Sequence, residues 1–116
     1  MPKKLTMQQI EAYRHDGFYF PINGIGEHRA VAARNDLEAY ERELGKPLTA
    51  AGREERYKLH VRLPWACNLV RAPEILYAVE DIIGPDIMVW TSTFFIKEPQ
   101  TTAITMWHQD ATYFGL

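Results

Sequence analysis

Ile87-Met88-Val89-Trp90-Thr91-Ser92-Thr93-Phe94-Phe95-Ile96-Lys97 is the stretch on which the fold turns. Its apolar residues follow a period of two, which is strand spacing, whereas the segments before it follow helical spacing. One face carries Ile87, Val89, Thr91, Thr93, Phe95 and Lys97. The other carries Met88, Trp90, Ser92, Phe94 and Ile96, and is greasy enough to pack under helices. A turn at Glu98-Pro99-Gln100 leads to a second predicted strand over 102–108. That strand continues the alternation, with Ile104, Met106, His108 and Asp110 on one face. Two paired strands are marginal alone, so more strands or covering helices are expected around them.

Working back towards the N-terminus, the pattern is helical. Residues 5–16 read as a short helix with Thr6 as N-cap and Gln9 completing a capping box. Leu5 and Ile10 suit a hydrophobic staple, and Gly17 suits a left-handed stop. Phe18-Tyr19-Phe20-Pro21-Ile22 reads as a short strand closed by proline. A long helix is predicted over 27–44, where Ala30, Ala33, Leu37, Tyr40 and Leu44 form one core-facing stripe ended by Gly45 and Pro47. Residues 49–56 read as an exposed connection, and 57–71 as irregular with some helix. Pro73 opens a further helix with Ile75, Leu76, Val79, Ile82 and Ile83 inward, stopped by Gly84-Pro85.

The expected fold class is therefore α+β, helices first and strands last, within one domain. Residues 1–84 form its helical buttress and 85–116 its first core strands.

Composition narrows the function. With 47% hydrophobic and 24% charged residues the chain is an ordinary globular sequence, which argues against disorder. The net charge of −2 and the mixing of Arg53 and Arg56 with Glu54 and Glu55 argue against a nucleic-acid partner. Cys67 stands alone in an apolar setting and reads as a packed thiol. No signal peptide or membrane span is legible, so a cytoplasmic protein is expected. Asn23-Gly24-Ile25-Gly26 lacks the third glycine and the Lys-Ser/Thr pair of a nucleotide loop.

Trp107-His108-Gln109-Asp110 carries the chemistry. An imidazole and a carboxylate two apart on a strand share a face. They match two of the three protein ligands in the facial triad of non-haem iron(II) oxygenases. A bare His-x-Asp also describes a structural strand histidine followed by a turn aspartate. The third ligand, a distant histidine, is expected beyond Leu116, so the chain reads as the front part of a longer domain. His15, His28 and His60 are not read as ligands.

At these residues the sequence resembles the phytanoyl-CoA dioxygenase family of iron(II)- and 2-oxoglutarate-dependent oxygenases. Leu5-Thr6-x-x-Gln9-Ile10-x-x-Tyr13-x-x-Asp16-Gly17-Phe18 looks like the family's opening segment. Pro73-x-Ile75-Leu76 with Gly84-Pro85-Asp86-Ile87 is similar to its helix before the first core strand. Phe94-Phe95-Ile96-Lys97-Glu98-Pro99 and Trp107-His108-Gln109-Asp110-x-x-Tyr113-Phe114-Gly115-Leu116 resemble its metal-binding region.

The resemblance implies a double-stranded β-helix, or jelly roll, of which this chain holds only the first strands. It implies His108 and Asp110 as the first two iron ligands. Thr93 falls at a cosubstrate-contacting position, with threonine where others have methionine. Lys58, or Arg56 beside it, matches an upstream lysine near the cosubstrate carboxylate. Lys97 is motif-matched, and equally fits a strand-end lysine reaching to water. The implied cofactors are Fe(II), 2-oxoglutarate as cosubstrate, and dioxygen. The implied reaction is hydroxylation of a small organic substrate, with little turnover expected of the chain alone. Asp110 argues against the related halogenating branch, because its oxygen occupies the halide position. A non-catalytic jelly-roll binding module and a stand-alone helical interaction domain are the competing readings.

Overall fold

The computed structural model describes residues 1–114, so Gly115 and Leu116 of the quoted motif lie outside the described residues. The elements in order are α1 (Met7–Asp16), α2 (Glu27–Leu44), α3 (Arg53–Arg56), α4 (Pro64–Val70), α5 (Pro73–Ile83) and α6 (Asp110–Phe114). Short 3-10 turns at Leu48–Ala50 and Leu59–Val61 flank α3.

Local sequence chemistry sets the helix ends. The Thr6 hydroxyl accepts from the Gln9 N–H at 3.2 Å while the Gln9 side chain accepts from the Thr6 N–H at 2.8 Å, a reciprocal capping box. Gly17 ends α1 at φ 80°, a left-handed position that costs a glycine little, and its N–H donates to the Tyr13 carbonyl at 2.8 Å. Pro73 occupies the first turn of α5, where its missing N–H has no intrahelical partner to lose.

The helices are fastened by polar links as much as by apolar packing. Asp81 on α5 accepts the backbone N–H groups of Lys3, Lys4 and Leu5, each at 2.7 Å, and so holds the N-terminal segment on α5. Arg29 on α2 reaches Glu74 on α5 at 2.6 Å. Glu41 accepts the Leu48 N–H at 2.7 Å, which folds the chain back after α2. Among the described residues the buried apolar set is small: Leu5, Ile10, Leu48, Ala51, Leu59, Ala66 and Ala72. Leu48 and Leu59 are its largest members, both in the turns around α3, and α4 packs against the second turn and against α2.

Several expectations are corrected here. The α+β jelly-roll fold class is overturned: the described residues contain no β-strand, and the architecture is helical. Residues 86–109 run without helix or strand, and so do Phe18-Tyr19-Phe20-Pro21-Ile22. Among the described residues the only pairing is a single antiparallel bridge between Tyr57 and Thr93, supported by the Lys58 N–H donating to the Ser92 carbonyl at 2.7 Å. The physical reason is that alternation sets which way side chains face, while a strand needs a hydrogen-bonded neighbour along its length. The alternation itself survives locally. Ser92, Phe94 and Ile96 are half-buried while Thr93, Phe95 and Lys97 are exposed. Phe94 meets Trp65 of α4 with ring centroids 5.6 Å apart, which docks this segment on the helices.

The α2 stripe also differs from expectation. Ala33, Leu37, Tyr40 and Leu44 are half-buried and Ala30 is exposed, so the stripe faces a hollow shared with Phe94 and Ile96. On α5, Ile75 and Ile83 are exposed although expected inward, while Leu76, Val79 and Ile82 are half-buried; Ile83, the last residue of the helix, shares an open hollow with Val79, Ile82 and Phe18. Residues 49–56, expected as an exposed connection, contain α3 and the buried Ala51. Among the described residues no helix is long and apolar enough to cross a membrane.

Candidate metal centre

His108 and Asp110 converge, by a route different from the one alternation suggests. His108 lies in chain without helix or strand and Asp110 is the first residue of α6, so the pair spans the start of that helix. The His108 Nε2 stands 3.1 Å from the Asp110 Oδ1. Two donors about 2.1 Å from one ion and at right angles are about 3 Å apart, so this spacing fits adjacent positions on an octahedral ion. Both side chains are more than half exposed.

The second imidazole nitrogen is also placed. His108 Nδ1 lies 2.8 Å from the Met106 carbonyl. A carbonyl oxygen only accepts, so Nδ1 carries a proton; Nε2, when protonated, donates to Asp110, and losing that proton frees its lone pair for an ion held between the two groups. The carbonyl is the outer support that metal-bound histidines use. Sequence reasoning had no side chain to assign to it, because the acceptor is backbone. The same pair raises the His108 pKa from its ordinary 6.5, first through the Met106 carbonyl and then through the negative charge of Asp110. The donor set therefore fits a divalent ion with two protein ligands. Among the described residues no cluster of three or more His, Cys, Asp and Glu side chains is formed. His60 is engaged elsewhere, with its Nδ1 2.5 Å from the Ser92 hydroxyl.

Thr93 and Lys97 line a separate hollow of about 500 Å³, together with Arg53, Arg56 and Tyr57. Lys58 is not on its wall. Its backbone is left-handed (φ 53°) and its Nζ lies 5.6 Å from the centre of the Tyr57 ring. Arg56, the neighbour that competes with Lys58 for the upstream cation role, is on the wall. The hollow adjoins His108 through Thr105, which lines both it and the small cleft holding His108. Arg53 was legible only in hindsight: it precedes Arg56 by one helical turn, so both project from one side of α3.

The sequence profile of the family Phytanoyl-CoA dioxygenase (PhyH) matches residues 13–115, nearly the whole chain and all of the site just described. No curated protein and no solved structure matches the chain.

Proposed function

The chain belongs to the phytanoyl-CoA dioxygenase family, a family of oxygenases, and from that membership we propose that it serves an Fe(II)- and 2-oxoglutarate-dependent hydroxylation of a small organic substrate. One observation carries the reading to particular residues: the 3.1 Å approach of His108 Nε2 to Asp110 Oδ1, with Nδ1 occupied by the Met106 carbonyl. His108 and Asp110 would hold the iron. The ion would supply the redox chemistry by which dioxygen oxidises 2-oxoglutarate and the substrate together, yielding succinate, carbon dioxide and an alcohol.

The protein's own part is positioning. Met106 fixes the imidazole tautomer, and Asp110 supplies the negative charge that a divalent ion needs. Thr93 and Lys97, facing one hollow beside the pair, suit contacts to the cosubstrate, with Arg56 on the same wall and Lys58 outside it as the two candidates for the upstream cation. The remaining position of a three-ligand face needs a group that the described residues do not bring to the pair. Residues 1–84 act as the support for 85–116 in a single domain.

The test is ferrous binding and 2-oxoglutarate consumption by the protein and by Asp110→Ala. Loss of both in the variant is expected. Decarboxylation that persists in Asp110→Ala would remove the assignment.

A further inference from the structure

Two methionines are almost equally open to solvent and differ in what stands beside them. Met88 is 80% exposed and Met106 is 76% exposed. Met106 lines a small cleft with Thr105, Trp107 and His108, and its carbonyl lies 2.8 Å from His108 Nδ1. Met88 belongs to the segment that leads into the Tyr57–Thr93 bridge. Exposure alone therefore makes the two sulfurs equivalent, and only the neighbourhood of His108 separates them.

The chain keeps that neighbourhood tight. Two residues span at most about 7 Å even when fully extended, so the backbone of Met106 cannot leave the vicinity of His108. Its unbranched side chain has three rotatable bonds, which lets the sulfur swing across the mouth of the cleft. A thioether is readily converted to a sulfoxide, a polar group where an apolar one stood.

We propose that Met106 is a redox-sensitive site, converted to its sulfoxide by a hydroperoxide in preference to Met88 when His108 and Asp110 hold ferrous iron. This rests on the iron site proposed above, whose ion would localise the peroxide chemistry. The net step needs no further reductant. Sulfur gives up two electrons and gains one peroxide oxygen as the O–O bond breaks. With hydrogen peroxide the other oxygen leaves as water with both protons, and the ion has the same charge before and after. The product places a polar oxygen beside the histidine that holds the ion. Its exposure leaves it open to a sulfoxide reductase, so the change is reversible.

The test treats the protein with limiting hydrogen peroxide, with ferrous iron, without metal, and with iron under excess chelator. Cleavage after Arg71 and Lys97 puts Met88 and Met106 in separate peptides, whose oxidation is read by mass spectrometry. Without metal, and with chelated iron, the two methionines are expected to oxidise to similar extents. With iron, Met106 is expected to be oxidised several-fold more than Met88. Asp110→Ala should return the two to parity. The Asp110 side chain is 72% exposed, so its loss removes a ligand without opening the core. Similar oxidation of Met88 in the variant and the parent checks that the fold is retained.

Ferrous binding is measured separately on the same samples. Bound iron with Met106 and Met88 oxidised alike overturns this proposal alone. So does a preference for Met106 that persists in Asp110→Ala, or oxidation of Trp107 in place of Met106. Absence of ferrous binding overturns the iron-site reading and this proposal together.

Discussion

The carboxylate of Asp81 accepts the backbone N–H of Leu5 at 2.7 Å, closing a span of 76 residues. The same carboxylate takes the N–H groups of Lys3 and Lys4, so it caps a stretch that otherwise has no helix of its own. Desolvation pushes its pKa up, but the three backbone donors, Leu5 foremost, outweigh that and hold it below the usual 3.8. A carboxylate with a lowered folded-state pKa contributes stability above its unfolded value and loses it as pH falls through the folded value. Asp81→Ala is expected to lower the thermal midpoint by about 5 °C at neutral pH. The gap from the parent protein should narrow below pH 3.8. Thermal scans at neutral and acid pH check this, and a gap that stays constant into acid would contradict it.

Leu59 is 1% exposed and sits in the turn that leads from α3 into α4, with its carbonyl accepting from Leu63 at 2.8 Å. Leu59→Ala leaves a cavity where few other large apolar groups are buried, and is expected to cost about 2–5 kcal/mol. Val61→Ala in the same turn removes a side chain that is 71% exposed, and should change stability by about 0.5 kcal/mol or less. Urea titration of the two variants separates burial from turn geometry. Equal losses would mean that the turn, not the buried leucine, carries the stability.

Helices with chemical punctuation were legible, whereas the strands that alternation predicted do not form among the described residues. Thr6, Gln9 and Gly17 act within a few residues of one another, so α1 follows from local chemistry alone. Glu27–Leu44 likewise follows from a repeat and a terminal glycine. The alternation over 87–97 is equally visible, yet it leaves open which neighbour supplies the hydrogen bonds. Thr93 pairs with Tyr57, across the chain, and not with the 102–108 segment that follows it. The candidate ligands His108 and Asp110 were legible as residue types, but their geometry arises from a turn into α6 in place of a shared strand face. The Met106 carbonyl was invisible because any residue would supply it.

Gly17 and Gly24 make opposite predictions from the same substitution. Neither has atoms within 4 Å of where a Cβ would stand, so space does not distinguish them. Gly17 is at φ 80°, where an L side chain is strained, and Gly17→Ala should cost about 1 kcal/mol. Gly24 is outside that left-handed range, and Gly24→Ala should be neutral or stabilise by about 0.4–1 kcal/mol by restricting the unfolded chain. Denaturant midpoints of both variants check the contrast, and a costly Gly24→Ala would show a constraint there that the backbone does not reveal.

If His108 and Asp110 hold the ion as proposed, a proton and the ion compete for one nitrogen of His108. The Met106 carbonyl and the Asp110 charge both favour imidazolium, so in the metal-free protein His108 titrates above 6.5. A bound divalent ion needs Nε2 deprotonated, so ferrous affinity should fall as pH drops through that raised value and level off above it. Asp110→Asn removes the charge and keeps the shape. It should lower the His108 pKa only part of the way, because the Met106 contribution remains. Imidazole proton shifts followed by NMR across pH 5–9 read this without any metal present. An unchanged titration in Asp110→Asn would mean that the 3.1 Å approach does not persist in solution, and the two residues would then lose their claim to a shared ion.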